Sequence, residues 1–284
     1  MKLDDLTIRL RPRTAWAAGD LGLTMMQHWW RPAYGVWFAS TLPIFALAHA
    51  IAGWTLWALL IFWWLKPVYE RVLLFVYSRA AFGSVPTVWN TLRQTPRLLW
   101  RTGLLWHLSL GRLFSWTRAY LLPAYQLEGQ TGTERRARLR VLAARDSGTA
   151  ILQFLIYSAL EFILASSSFV LLILLLPESV DMTGYGFDTY PNATQFGLNV
   201  LVYIGISVVQ PAFVASGFAL YLNRRTVLEG WDLELDLRRL AERLSALRPD
   251  AGALIVALLV CAALPMDRLR QRRQGAIGCL QSRR

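Results

Sequence analysis

Glu161 is the single ionisable side chain in the apolar run Ile151–Leu176, and a carboxyl group at that depth is where chemistry would begin. Insertion scales charge about 2.5–3.5 kcal/mol for an aspartate in mid-span, so such a group must face protein and find a proton or a partner. If 151–176 and 193–222 run antiparallel about a loop centred near residue 185, equal counting sets Glu161 level with Gln210. Asn199, Tyr203 and Gln210 fall within roughly 40° of one another at 100° per residue, which gives the second helix one polar stripe. The expectation is a largely protonated Glu161 hydrogen-bonded to that stripe, above all to Gln210. That is a polar clamp between two helices, preferred to a proton or substrate path.

Other reactive side chains form no constellation. Lys66 and Glu70 stand four apart and are expected to pair on one helix face. His28, His49 and His107 are widely separated, and each reads as a packing or interfacial histidine. Ser166, Ser167 and Ser168 lie inside an apolar run, where small residues allow close helix contact more often than they supply a nucleophile. Cys261 and Cys279 are not ligand-spaced and support neither a zinc site nor a disulfide framework. The phosphate-loop, zinc-peptidase and nucleophile-elbow signatures do not occur. No catalytic, metal or cofactor-binding residue is assigned, no cofactor is expected, and the chain reads as a non-enzyme.

The elements that hold these residues are set by apolar runs. The 284 residues are 55% hydrophobic and only 17% charged, against about 25% charged in soluble domains. No secretory signal opens the chain. Residues 1–33 form a mixed-charge N-terminal segment, and 34–65 a first transmembrane hairpin of Tyr34–Ile51 and Trp54–Leu65. The second of these is short, and it either ends at the tryptophan pair or continues past Lys66-Pro67 as a kinked helix. Region 66–146 carries thirteen Lys/Arg against four acids. Within it, 86–122 reads as amphipathic helix at the inner interface, or equally as a buried helix pair, and Thr131–Glu134 as a capping box opening a basic helix. Residues 147–222 form the second transmembrane hairpin, whose intervening loop, Pro177–Asn192, is acidic and lacks basic residues.

The fold class is therefore all-α: a polytopic helical membrane protein with amphipathic cytoplasmic or interfacial helices. The positive-inside rule puts the N-terminus, 66–146 and 223–250 in the cytoplasm. The run Ala251–Pro265 is short for a span, and 251–284 continues as a basic tail with six arginines after it. The net charge of +12 follows the membrane flanks, so nucleic acid is not an expected partner.

Residues 223–250 form a cytoplasmic amphipathic helix in which Leu233, Leu237, Leu240, Leu244 and Leu247 recur at 4-3-4-3 spacing. That is a helix-docking seam, serving either this protein's own basic helices or another subunit. An internal echo accompanies it: Gln126-Leu127-Glu128-Gly129 precedes one arginine-rich helix, and Val227-Leu228-Glu229-Gly230 precedes another.

Tyr221-Leu222-Asn223-Arg224-Arg225 followed by Glu229-Gly230-Trp231-Asp232-Leu233-Glu234 resembles the end of the membrane region in a broad group of uncharacterised bacterial multi-pass inner-membrane proteins. The group includes the membrane domain found with some glycerophosphodiester phosphodiesterases. Residues 63–83, WWLKPVYERVLLFVYSRAAFG, are similar to a stretch in its multi-pass members. The resemblance implies a helical protein of the bacterial inner membrane and no catalysis, since the phosphodiesterase barrel has no counterpart here. The leading functional expectation is a subunit or scaffold that docks a membrane-complex partner through its cytoplasmic helices. The rival is a transporter or lipid-handling protein with the bilayer itself as partner.

Overall fold

The Thr14 hydroxyl accepts the Ala17 N–H at 3.3 Å and opens a helix where the sequence had shown only mixed charge. The computed structural model describes residues 11–101, 115–175 and 191–230, all within a compact unit that runs to Asp232; the second unit, Leu233–Arg284, lies outside them. The described residues form eight helices and no strand: α1 Ala15–His28, α2 Trp30–Ala52, α3 Leu56–Trp64, α4 Lys66–Ala81, α5 Val88–Arg101, α6 Arg118–Leu127, α7 Gly132–Leu175 and α8 Pro191–Glu229.

Among them α2, α7 and α8 are long and apolar enough to cross a membrane. The fourth expected crossing is divided. Leu65, at φ −82° and ψ 1°, ends α3 and precedes α4. Pro67 then removes one backbone donor from the first turn of α4. Together α3 and α4 cover Leu56–Ala81, about 39 Å at ~1.5 Å per residue. The kinked continuation of the two sequence alternatives describes this segment. The expected boundaries at 146/147 and 222/223 fall inside unbroken helices, because the basic segment and the apolar run share one helix in α7 and again in α8.

α8 is the axis of the fold. One side of it carries α1 and α2 antiparallel along its length. Arg13 N–H donates to Asn223 Oδ1 (2.8 Å) near one end, Thr41 meets Tyr203 (2.9 Å) midway, and Trp54 packs edge-on to Phe196 (4.4 Å) near the other. Gly22 allows the closest approach, since a Cβ there would stand 2.3 Å from Ser216 Cα. α7 packs on α8 next to α1, with Tyr157 Oη 2.7 Å from Ser216 Oγ and Gln153 of α7 against Gly19 of α1. α4 and α6 wedge between these layers. Residues 66–78 of α4 are buried without interruption, and the Ala119, Tyr120, Leu122, Pro123 and Ala124 side chains of α6 are buried too. Of the stretch 86–122, Ala119, Tyr120 and Leu122 are therefore interior, while Trp116 stays exposed. Burial holds the Tyr120 phenol above the ordinary tyrosine range, so it stays a donor to the Leu142 carbonyl at 2.7 Å.

The outer face is apolar at one depth. On α7, exposed hydrophobic side chains run from Leu152 to Leu174, a rise of about 33 Å. Phe38, Leu42, Leu47 and Ile51 of α2, Trp57 and Leu60 of α3, and Ile204 and Val208 of α8 are exposed as well. Such a belt is what a hydrocarbon layer of about 30 Å would cover.

Candidate functional site

The α3–α4 break puts Lys66 among apolar helices, 2% exposed. Its Nζ donates to Glu161 Oε2 at 2.5 Å. One turn along α4, Glu70 Oε1 accepts from Gln210 Nε2 at 2.8 Å and lies 2.9 Å from Arg118 Nε. The Arg118 guanidinium also stands over the rings of Phe154 and Phe213, 5.1 and 5.6 Å from their centroids. Four helices thus supply two cations, two carboxylates and an amide. Counting along α7, Glu161 sits nine residues from Leu152 and thirteen from Leu174, so the group lies well inside the apolar belt.

This arrangement overturns the expected clamp. Glu161 pairs with Lys66 and Gln210 pairs with Glu70, so the two residues expected to bond each have another partner. The depth was off by more than a turn: Glu161 O lies 3.4 Å from where a Cβ on Gly205 would stand, five residues or about 7.5 Å from Gln210. The rotation was off as well. Gly205, where α7 packs, is roughly 200–240° around α8 from the polar stripe, so the stripe faces away from Glu161. Asn199, Tyr203 and Gln210 do share a face, toward α2–α4. Asn199 Nδ2 reaches His49 Nε2 and the Thr55 carbonyl, both at 3.1 Å, and Tyr203 meets Thr41. The expected Lys66–Glu70 pair also fails, because Lys66 is drawn to α7 and Glu70 to α6 and α8. His49 is a packing histidine whose Nδ1 meets the Phe45 carbonyl at 2.8 Å. His107 and the seam Leu233, Leu237, Leu240, Leu244 and Leu247 lie outside the described residues.

Beside the ionic group opens a cavity of about 600 Å³. Lys66, Arg118 and Glu161 line it together with Ser158, Ser166 and an apolar majority that includes Trp63, Phe154, Phe162, Phe169, Leu198, Val202 and Ile206. Phe162 is strongly exposed on the outer face, so the crevice opens sideways onto the apolar belt. Of the three serines, Ser167 and Ser168 donate to the Leu164 carbonyl and Ser166 lines the crevice. Among the described residues no cluster of His, Cys, Asp or Glu has the geometry to hold a metal ion.

No family model, curated protein or solved structure matches the chain.

A second ionic group stands at the other end of α8, and it accounts for the echoed strings. Glu128 and Glu229 both converge on Arg138: Nε lies 2.9 Å from Glu128 Oε2, and Nη2 lies 2.5 Å from Glu229 Oε1. Each glutamate is followed by a glycine in the left-handed region, Gly129 at φ 65° and Gly230 at φ 62°, the conformation that ends a helix. Tyr221 Oη donates to Glu128 Oε1 at 2.7 Å, and Arg225 Nε bonds both Glu229 oxygens. The string of Tyr221, Arg225, Glu229 and Gly230 is thus a structural clasp. Sequence reasoning missed Lys66 and Arg118 as site residues. The available signal was Lys66 itself, one of two lysines in the chain, set between a tryptophan pair and a proline.

Proposed function

We propose that this is a multi-pass protein of the bacterial inner membrane that binds a lipid in the crevice between α3–α4, α6, α7 and α8. The observation that carries the reading is an apolar cavity of about 600 Å³ with an ion pair in its wall, opening onto the belt a bilayer would cover. Soluble substrates have no reason to meet walls of this kind. A lipid matches an apolar body and one polar end. The helix broken at Leu65 supports the same reading, because irregular backbone at membrane depth is tolerated where it lines a cavity or is buried in protein. The reading is of binding rather than bond-making, and it places the lipid-handling rival ahead of the docking subunit. The docking reading keeps its leucine seam as a sequence argument.

In this reading α5, the start of α7 and the end of α8 lie on the cytoplasmic side with the N-terminus, following the arginine excess. Single cysteines at Arg136 and Trp54 should then label from opposite sides of the membrane, and labelling of Arg136 from outside would reverse the topology. Ser166→Phe tests the crevice. The added ring should occupy it and reduce the lipid that co-purifies in mild detergent, with the protein still folded. Unchanged lipid content would sink the lipid reading.

A further inference from the structure

Resting on the lipid reading, the geometry points to an anionic head group, of phosphate or carboxylate type, held by Lys66 and Arg118 with Glu161 as the group it displaces. The case is a surplus of donors. An ammonium has three N–H donors and a guanidinium five. Among the described residues, Lys66 makes one side-chain hydrogen bond, to Glu161 Oε2, while its side chain is 3% exposed. Arg118 has only its Nε beside a carboxylate, that of Glu70, and its planar face is covered by Phe154 and Phe213. Buried donors without acceptors are costly, and both residues line the crevice.

The carboxylates do not balance this wall. Glu70 is 2% exposed, lies behind Arg118 and does not line the crevice. Among the described residues the crevice itself therefore meets two cations and one anion. An oxyanion with several lone pairs would accept from Lys66 and Arg118 together, a match that a diacylglycerol hydroxyl cannot make and that the phosphate of phosphatidylcholine makes only by bringing its choline cation beside them. Glu161 is the weak member of the group. Its side chain is 16% exposed against 3% for Lys66, and it holds Lys66 through one oxygen. An incoming phosphate would compete with it for the same ammonium.

The apolar walls decide the source. A phosphate on a lipid can lay its chains along Phe162, Phe169 and Leu198, whereas a free phosphate would have to enter through hydrocarbon.

The experiment measures binding of phosphatidylglycerol, phosphatidylcholine and diacylglycerol of matched chains to the delipidated full chain in detergent, with glycerol phosphate as the soluble control. Phosphatidylglycerol should bind roughly tenfold or more tightly than the other two, and glycerol phosphate should not compete. Glu161→Gln should tighten phosphatidylglycerol and leave diacylglycerol unchanged, the opposite of what a purely structural ion pair predicts. Lys66→Gln should remove the preference. If that variant does not fold, the Glu161→Gln result decides alone. Equal binding of all three lipids, still weakened by Ser166→Phe, would overturn the anionic head group and leave the lipid reading standing. No lipid binding at all, or a crevice occupied by a second copy of the chain, would overturn both. Competition by glycerol phosphate at similar concentration would overturn the lipid source.

Discussion

The two ionic groups of this molecule use the same residue types to opposite ends. At the α6–α7–α8 clasp, Arg138 spends its guanidinium on Glu128 and Glu229, and Tyr221 and Arg225 fill the remaining carboxylate positions. The arginine there is about a fifth exposed, and its Nε and Nη2 together meet both carboxylates. At the α3–α4 break the side chains are far more buried, yet the donors outnumber the acceptors that face them. A cluster near water in which each carboxylate is held by several donors is a fastener. A deeper one with donors to spare is costly to bury, and a protein that keeps it at an open crevice has left a place for another anion.

The comparison can be broken by deleting one carboxylate from each side. Glu70→Ala should have the larger effect, about 3–5 kcal/mol, because it strands Arg118 and Gln210 in the interior. Unfolding in mixed micelles would measure it, with Glu70→Gln as the milder control. A loss below about 1 kcal/mol would mean that Arg118 escapes to solvent or headgroups and that the interior is wetter than described. Arg138→Ala should cost less, about 1–3 kcal/mol, since Glu229 is partly exposed and can return to water. That loss should shrink as salt is added, whereas the Glu70→Ala loss should not, because buried pairs are screened little. Equal salt dependence would erase the distinction between the two groups.

The long helices were legible because their partner is apolar on every side. Tyr34–Ile51, Ile151–Leu176 and Ala193–Leu222 lie within or almost wholly within α2, α7 and α8, whose ends extend past them into polar sequence that periodicity alone does not join to a span. α1 was missed because its packing depends on small residues. Ala18, Gly19 and Gly22 are buried against α8 and neighbouring helices, yet they contribute little apolar signal. The site was half legible. Glu161 and the stripe of Asn199, Tyr203 and Gln210 stood out by depth and periodicity, and the stripe does share a face. Their pairing was wrong because the level count missed by five residues, to Gly205, and rotation between the two helices was not counted. The same angular arithmetic sets Gly205 opposite the stripe, and close packing goes to the smaller residue. Lys66–Glu161 spans 95 positions of sequence, and no local rule reaches that far.

The break at Leu65 also bears on the order in which the protein is made. α3 is nine residues long, and α4 begins with Lys66 and carries Glu70 and Arg71, so neither half is a segment that insertion machinery would release readily into lipid. Their partners all come later on the ribosome: Arg118, then Glu161, then Gln210. Until those are synthesised, the Lys66 ammonium and the Glu70 carboxylate have only each other, one helical turn apart, as counter-charge. If the chain inserts as proposed, the second crossing is held at the interface or within the translocon while about 140 further residues emerge, some 7–30 s at ordinary translation rates. In this chain the later helical hairpin seats the earlier one.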